Sequence, residues 1–278
     1  MIRLVATDLD GTLWDRSIQV RPEVRAALGE LVAAGITVLA ATGRRPRSAR
    51  TALADNGLDA LAAVCLDGTF GEDWAAGRRF HESLFEAAES AAVLAEFLER
   101  GLAPNVFVDH PELDVLLATE PAHRPPTPGA GRAESLLQWA VVGPLEESVP
   151  RHRVAAFTVI GGELSVLAPV AAAVTAAGVA RATLTQDSLY GGTSLSVIPL
   201  PASKWAGVLA YAEAAGIGPD EILGVGDAAN DLELLQGAGH AVAVRTAEPA
   251  VLAAADQLID PPGEGGWCAI VDICRSLS

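Results

Sequence analysis

Apolar and polar positions follow two regimes along the chain. At both ends, short apolar runs alternate with amphipathic stretches. Residues 3–7 form one such run and Ile36–Ala41 (ITVLAA) another, the pattern of parallel strands covered on both faces. Between them, Pro22–Ala34 has apolar residues at helical spacing, with Pro22 suited to a first turn and Gly35 as the stop. Arg47–Asn56 reads as a helix closed by Gly57, and Ala62–Leu66 as a third strand. The last third alternates in the same way, through helix Ala202–Ala215, strand Ile222–Val225, helix Asn230–Gln236, strand Ala241–Val244, helix Pro249–Ala255, strand Gln257–Ile259 and a closing helix Trp267–Ser276. Strands separated by helices predict an α/β fold, a Rossmann-like parallel sheet with helices on both sides.

The middle differs. Leu84–Arg100 predicts a long amphipathic helix, and Val106–Asp109, Val115–Thr119, Val154–Ile160 and Ala182–Thr185 predict strands, with a helix over Pro169–Ala177. Glu120–Arg132 is a loop with four prolines. The pattern predicts an α+β module at residues 83–188, inserted into a core made of residues 1–82 and 189–278.

Composition narrows the partners. Half of the 278 residues are hydrophobic and 19% are charged, enough to bury a full core. Acidic residues outnumber basic ones 35 to 19, for a net charge of −16, which argues against nucleic acid or an anionic membrane as the main partner. A small phosphate ligand responds to the local field instead. Cys65, Cys268 and Cys274 form no CxxC pair, as expected in a reducing, cytoplasmic setting. The acid at Asp8 comes too early for a signal peptide. The longest uncharged run, Leu164–Ala180, holds Pro169 and Gly178 and reads as a strand-turn-helix stretch, not a membrane span. The five histidines are scattered and give no zinc motif, and nothing in the sequence identifies a protein partner.

Candidate chemistry sits after the predicted strands. Asp8-Leu9-Asp10-Gly11-Thr12 follows the first strand, so two carboxylates at i and i+2 share a face; an acidic turn is the plainer alternative. Thr42-Gly43-Arg44 follows the second and offers a phosphate cradle or an ordinary strand-to-helix turn. Gly226-Asp227-Ala228-Ala229-Asn230-Asp231 follows a later strand, where helix capping accounts for some but not all of its polar groups. Open α/β sheets bind ligands beyond the carboxyl ends of their strands. Clustered carboxylates repel: two unit charges ~4 Å apart cost about 4 kcal/mol at an effective dielectric of ~20. An all-oxygen set without imidazole suits Mg²⁺ and a phosphate. The basic residues are 18 arginines and one lysine, Lys204, at the start of a helix. A compact ammonium fits where a planar guanidinium does not, although codon bias also leaves a stray lysine.

In this order, DLDGT, TGR, Lys204 and GDAAND resemble the four motifs of the haloacid dehalogenase superfamily of phosphohydrolases. The wide gap between Arg44 and Lys204 is similar to the Cof-type subgroup, which carries a large α+β cap there. The resemblance implies a Mg²⁺-dependent phosphatase of a small phosphorylated metabolite, such as a sugar phosphate or phosphorylated cofactor. Asp8 would be the nucleophile and Asp10 the general acid and base. The metal would be held by Asp8, the Asp10 carbonyl and Asp227, with Asp231 in support, and the phosphoryl oxygens by Thr42, Gly43, Lys204 and Asn230, with Arg44 a further candidate. A hexose-phosphate mutase and a non-catalytic phosphate-binding protein are the alternatives. Asp67, Trp205 and Arg245-Thr246 depart from the subgroup's pattern; Asp67 is expected to add negative charge at the site mouth and Trp205 to add bulk. In the cap, Asp109, His110 and Asp114 are candidates for leaving-group contacts.

Overall fold

A computed structural model describes residues 1–118, 139–186 and 191–277. The expected proline-rich loop at 120–132 lies outside the described residues. The strands are β1 (Leu4–Thr7), β2 (Thr37–Ala41), β3 (Ala63–Cys65), β4 (Phe70–Asp73), β5 (Arg78–Glu82), β6 (Asn105–Val108), β7 (Val115–Leu117), β8 (Ala140–Val142), β9 (Val154–Gly162), β10 (Ala180–Gln186), β11 (Thr193–Pro199), β12 (Ile222–Gly226), β13 (His240–Val244) and β14 (Gln257–Ile259). The chain divides into two compact units, Met1–Glu82 with Ala202–Ser278, and Ser83–Pro201.

The first unit holds an eight-stranded sheet in the order β14-β13-β12-β1-β2-β3-β4-β5. From β14 to β3 every pairing is parallel, and β4 and β5 add an antiparallel hairpin at one edge. That hairpin is absent from the sequence reading, because its polar residues (GED, RR) mask the strand pattern. All four β1 residues are buried, as are Val24, Ala27, Leu28 and Leu31 on one side of helix Pro22–Ala33. Leu4, Leu39 and Val64 pack with Val208 and Ala212 of helix Lys204–Ala214. Burying each such leucine contributes about 1.5–3 kcal/mol. The chain runs outward from β1 through β2 to β3 and, on the other side, from β12 through β13 to β14. The winding therefore reverses between β1 and β12, where open α/β sheets leave a crevice at the carboxyl ends.

The second unit is a six-stranded sheet in the order β10-β11-β9-β6-β7-β8. Helix Ala87–Leu98 and helix Leu164–Ala177 supply Val93, Phe97, Val170 and Val174 to a core with Val106, Phe157 and Val197. Phe157 packs edge-on against Phe85 and stacks on Phe97. Residues 193–199, expected on the core side of a boundary at 189, form β11, which pairs with β10 and β9. The first unit resumes only at Ala202. The alternation of β11 carries no local sign of which sheet it joins. The helix expected from Pro169 starts at Leu164, so the proline lies inside it. Among the described residues, no helix is long and apolar enough to cross a membrane.

Candidate active site

Four neighbouring strands, β12, β1, β2 and β3, deliver their C-terminal residues to one place. Asp8 follows β1 directly, and its backbone N–H bonds to the Val225 carbonyl of β12 at 2.9 Å, which fixes where its side chain leaves the sheet. Behind it, the Thr7 hydroxyl donates to the Asp8 carbonyl at 2.9 Å and the buried Trp267 indole donates to Thr7 Oγ1 at 3.0 Å. Lys204 stands at the first position of its helix, where Ser203 caps by accepting from the Ala206 N–H at 3.1 Å. Such a cap is worth about 1 kcal/mol. The Lys204 side chain is 1% exposed, and Nζ donates to Asp8 Oδ1 and to Asp231 Oδ1, both at 2.7 Å. The other Asp231 oxygen accepts the N–H groups of Asp227 and Ala228, each at 3.0 Å. Asp231 thus ties the turn after β12 to the lysine.

Asp227 accepts the Thr12 hydroxyl at 2.7 Å. Gly11 lies against it: at φ +92°, an added Cβ would come 2.5 Å from Asp227 Oδ2. The glycine of DLDGT is there because no side chain fits between the two turns. Thr42 is buried, its hydroxyl accepting the Arg44 N–H at 3.1 Å. Arg44 reaches back to Asp10 as a two-pronged fork, Nε to Oδ2 and Nη2 to Oδ1, each at 2.5 Å. Asn230 Nδ2 donates to Asp67 Oδ1 at 2.8 Å, and Gly43 lies beside the same oxygen. Asp8, Asp10, Thr42, Gly43, Arg44, Lys204, Asn230, Asp227 and Asp231 therefore all belong to one connected cluster.

The electrostatics are those of an under-neutralised acid cluster. Burial pushes the Asp8 carboxyl well above the usual range; Lys204 pulls it back, and Asp231, Asp227 and Asp10 push it up again. Asp227 is pushed up to about 6, by burial and then by Asp231, against the bond from Thr12. Burial opposes the Lys204 charge, but Asp231, Asp8 and Asp67 outweigh it, so the ammonium stays charged beyond its usual range. One ammonium does not balance these acids. Oxygens of Asp8, Asp227 and Asp231 lie within 4.8 Å of one another. The donor set is all carboxylate and crowded, with Asp8 and Asp227 held above their usual range by burial and by neighbouring carboxylates, so the residues present fit a hard divalent cation such as Mg²⁺.

The sequence matches the haloacid dehalogenase-like hydrolase family over residues 5–113 and 180–267, most of the chain and every element of this cluster. The chain belongs to the haloacid dehalogenase-like hydrolases. A phosphatase of Bacillus subtilis (strain 168), 5-amino-6-(5-phospho-D-ribitylamino)uracil phosphatase YwtE, is 24% identical over 265 residues, 88% of each chain. Among solved structures, SMU.1108c of Streptococcus mutans UA159 superposes with a TM-score of 0.79 at 18% identity, covering 99% of this chain and 100% of its own. The subclass IIB sugar phosphatase BT4131 gives 0.74 at 20% identity, covering 99% and 98%.

Within this haloacid dehalogenase-like hydrolase, the three departures have different meanings. Asp67 stands in the site, in a left-handed conformation (φ +52°). Gly68 follows at φ +101°, where an added Cβ would meet the Ser203 carbonyl at 1.9 Å. The loop after β3 is thus pressed against the start of the lysine helix. Trp205 does not add bulk to the mouth: it packs with the core and onto Gly237, where an added Cβ would lie 2.3 Å from its ring. One step along a helix turns a side chain about 100°, so burying Lys204 toward the cluster sends Trp205 elsewhere. Arg245 pairs with Asp260 at 3.1 Å, and both are exposed. In the second unit, Asp109 pairs with Arg153 at 2.7 Å, and the His110 ring accepts the Glu112 N–H at 3.1 Å; both contacts stay within that unit.

The sequence reading missed Thr7, Trp14 and Trp267. Thr7 and Trp267 are 260 positions apart, and nothing local announces their pairing. Trp14, four residues after Asp10, carries a local signal: a large polar-tipped ring just past an acidic turn.

Proposed function

We propose that this hydrolase is a Mg²⁺-dependent phosphatase of small phosphate monoesters that works through a phosphoryl group carried on Asp8. The observation that carries the reading is Lys204, the one lysine of the chain, buried between Asp8 and Asp231. A cation placed there does not serve solubility. It neutralises a nucleophilic carboxylate so that a phosphate dianion can approach, a like-charge cost of about 8 kcal/mol if left unopposed at ~4 Å and an effective dielectric of ~20.

In this mechanism Thr42, Gly43, Asn230 and Lys204 orient the phosphoryl oxygens. The Asp8 carboxylate bonds to phosphorus as the bond to the leaving oxygen breaks. Asp10 gives its proton to the departing alkoxide. It then takes a proton from water, which attacks the Asp8 phosphoryl group and releases phosphate. Asp8, the Asp10 carbonyl and Asp227 would hold Mg²⁺, with Asp231 supporting them, and the ion supplies positive charge to the transferring group. The named relatives act on a phosphoribitylamino-uracil and on sugar phosphates, which favours a phosphorylated polyol or sugar as the substrate class here.

The test is phosphate release from 4-nitrophenyl phosphate and from a panel of sugar and polyol phosphates. Release should require Mg²⁺, stop in EDTA and vanish in Asp8→Asn. Release unchanged in Asp8→Asn would show that another group attacks phosphorus.

A further inference from the structure

Asp10 has a second tether besides Arg44. The Trp14 indole Nε1 donates to Asp10 Oδ1 at 2.9 Å. Trp14 is 1% exposed, whereas the Asp10 side chain is 46% exposed. The turn between them is closed by backbone bonds, from the Gly11 N–H to the Trp14 carbonyl at 2.9 Å and from the Trp14 N–H to the Leu9 carbonyl at 3.0 Å. The Arg44 guanidinium lies over the Trp14 ring, 5.6 Å from its centroid.

We propose that Trp14 is a positioning residue: its buried indole N–H fixes the Asp10 carboxyl for proton transfer to the leaving group. The inference rests on the phosphatase reading above. The two tethers differ in kind. Arg44 is a long, flexible cation next to Thr42 and Gly43, and an incoming phosphate dianion competes with Asp10 for it. Trp14 is locked by packing, carries no charge and has nothing to gain from phosphate. When the guanidinium turns to substrate, the indole remains to hold an otherwise mobile carboxyl. Its bond also distinguishes the two oxygens. Oδ1 accepts from both Trp14 and Arg44 Nη2, and among the described residues Oδ2 accepts from Arg44 Nε alone. Oδ2 is therefore the oxygen with room for the proton that passes to the leaving alkoxide.

Trp14→Phe keeps the ring and removes the donor. The readout is kcat/KM for aryl phosphates of rising leaving-group pKa, from 4-nitrophenyl to phenyl to 4-methylphenyl. Good leaving groups need no proton and poor ones do, so the variant should lose about tenfold on the poorest and less than about threefold on 4-nitrophenyl phosphate, with KM little changed. In an Asp10→Ala background the same substitution should cost nothing further. An equal loss across the series, or the full loss in Asp10→Ala, would overturn the proposal and leave Trp14 a packing residue. Should Trp14→Phe not fold, the wild-type indole N–H signal in the Mg²⁺–vanadate complex decides. It should stay protected from exchange and shift in Asp10→Asn; an exchanging, unshifted signal overturns the proposal. An inactive wild type, or an active Asp8→Asn, would instead sink the phosphatase reading itself.

Discussion

Lys204 Nζ stands 2.7 Å from Asp8 Oδ1, with the lysine side chain 1% exposed and the aspartate 7%. In a chain with 18 arginines, this position demands the narrower cation. Lys204→Arg keeps the charge but forces a planar fork into a filled space. Phosphate release should fall at least ~100-fold. Lys204→Met should also destabilise the fold, by about 3–5 kcal/mol, because buried acids lose their counter-charge. Steady-state kinetics and denaturant unfolding check the two effects separately.

Gly11 and Asp227 make the proposed metal site testable without turnover. Mg²⁺ should raise the melting temperature of the native protein by a few degrees, since ligand at ~100 times its Kd adds about 2.7 kcal/mol. Gly11→Ala places a Cβ against Asp227 Oδ2 at a backbone angle that disfavours it. The variant should lose the Mg²⁺-dependent part of the shift, read by scanning fluorimetry with Mg²⁺ and with EDTA.

Asp67 accepts from Asn230 and lies against Gly43, so its charge faces the groups assigned to phosphate. Asp67→Asn keeps an acceptor oxygen and a residue at ease in the left-handed region. Removing one like charge near a dianion is worth ~1 kcal/mol or more in a partly solvated site. KM for phosphate esters should fall about fivefold with kcat little changed, and the kcat-against-KM split is the readout.

His81 Nε2 meets the Gly68 carbonyl at 3.0 Å, and burial holds its pKa below the usual value against the pull of that bond. The unfolded chain therefore binds the proton first as pH falls. Stability should decline below about pH 6.5, the unfolded value, until the folded histidine protonates as well. His81→Gln keeps a donor for Gly68 and cannot titrate. Its melting temperature relative to wild type should rise as pH drops from about 7.5 to about 5. A constant difference across that range would show that His81 carries no such linkage.

Much of the site was legible because its groups cluster in short segments at strand ends. Asp8 and Asp10 follow β1, Thr42 and Gly43 follow β2, and Asp227 follows β12, so placing the strands placed the residues. Lys204 stood out by composition alone. What stayed hidden depends on distant pairs or side-chain direction. The sequence could not show that Trp205 turns to Gly237, that Arg44 forks onto Asp10, or that Trp267 reaches Thr7. The β4–β5 hairpin and the allegiance of β11 were lost for a related reason: pairing across a sheet is settled by the partner strand, not by the segment itself.

Everything proposed for the chemistry turns on transfer of phosphorus to Asp8. Acid-quenching the Mg²⁺-loaded enzyme during turnover of 4-nitrophenyl phosphate, and mapping the phosphoryl group by peptide mass spectrometry, observes that transfer itself. One substoichiometric adduct should appear on Asp8, absent from Asp8→Asn and increased in Asp10→Asn, where water is no longer activated. Sustained phosphate release with no adduct, or with an adduct on any other residue, would refute Asp8 as the nucleophile.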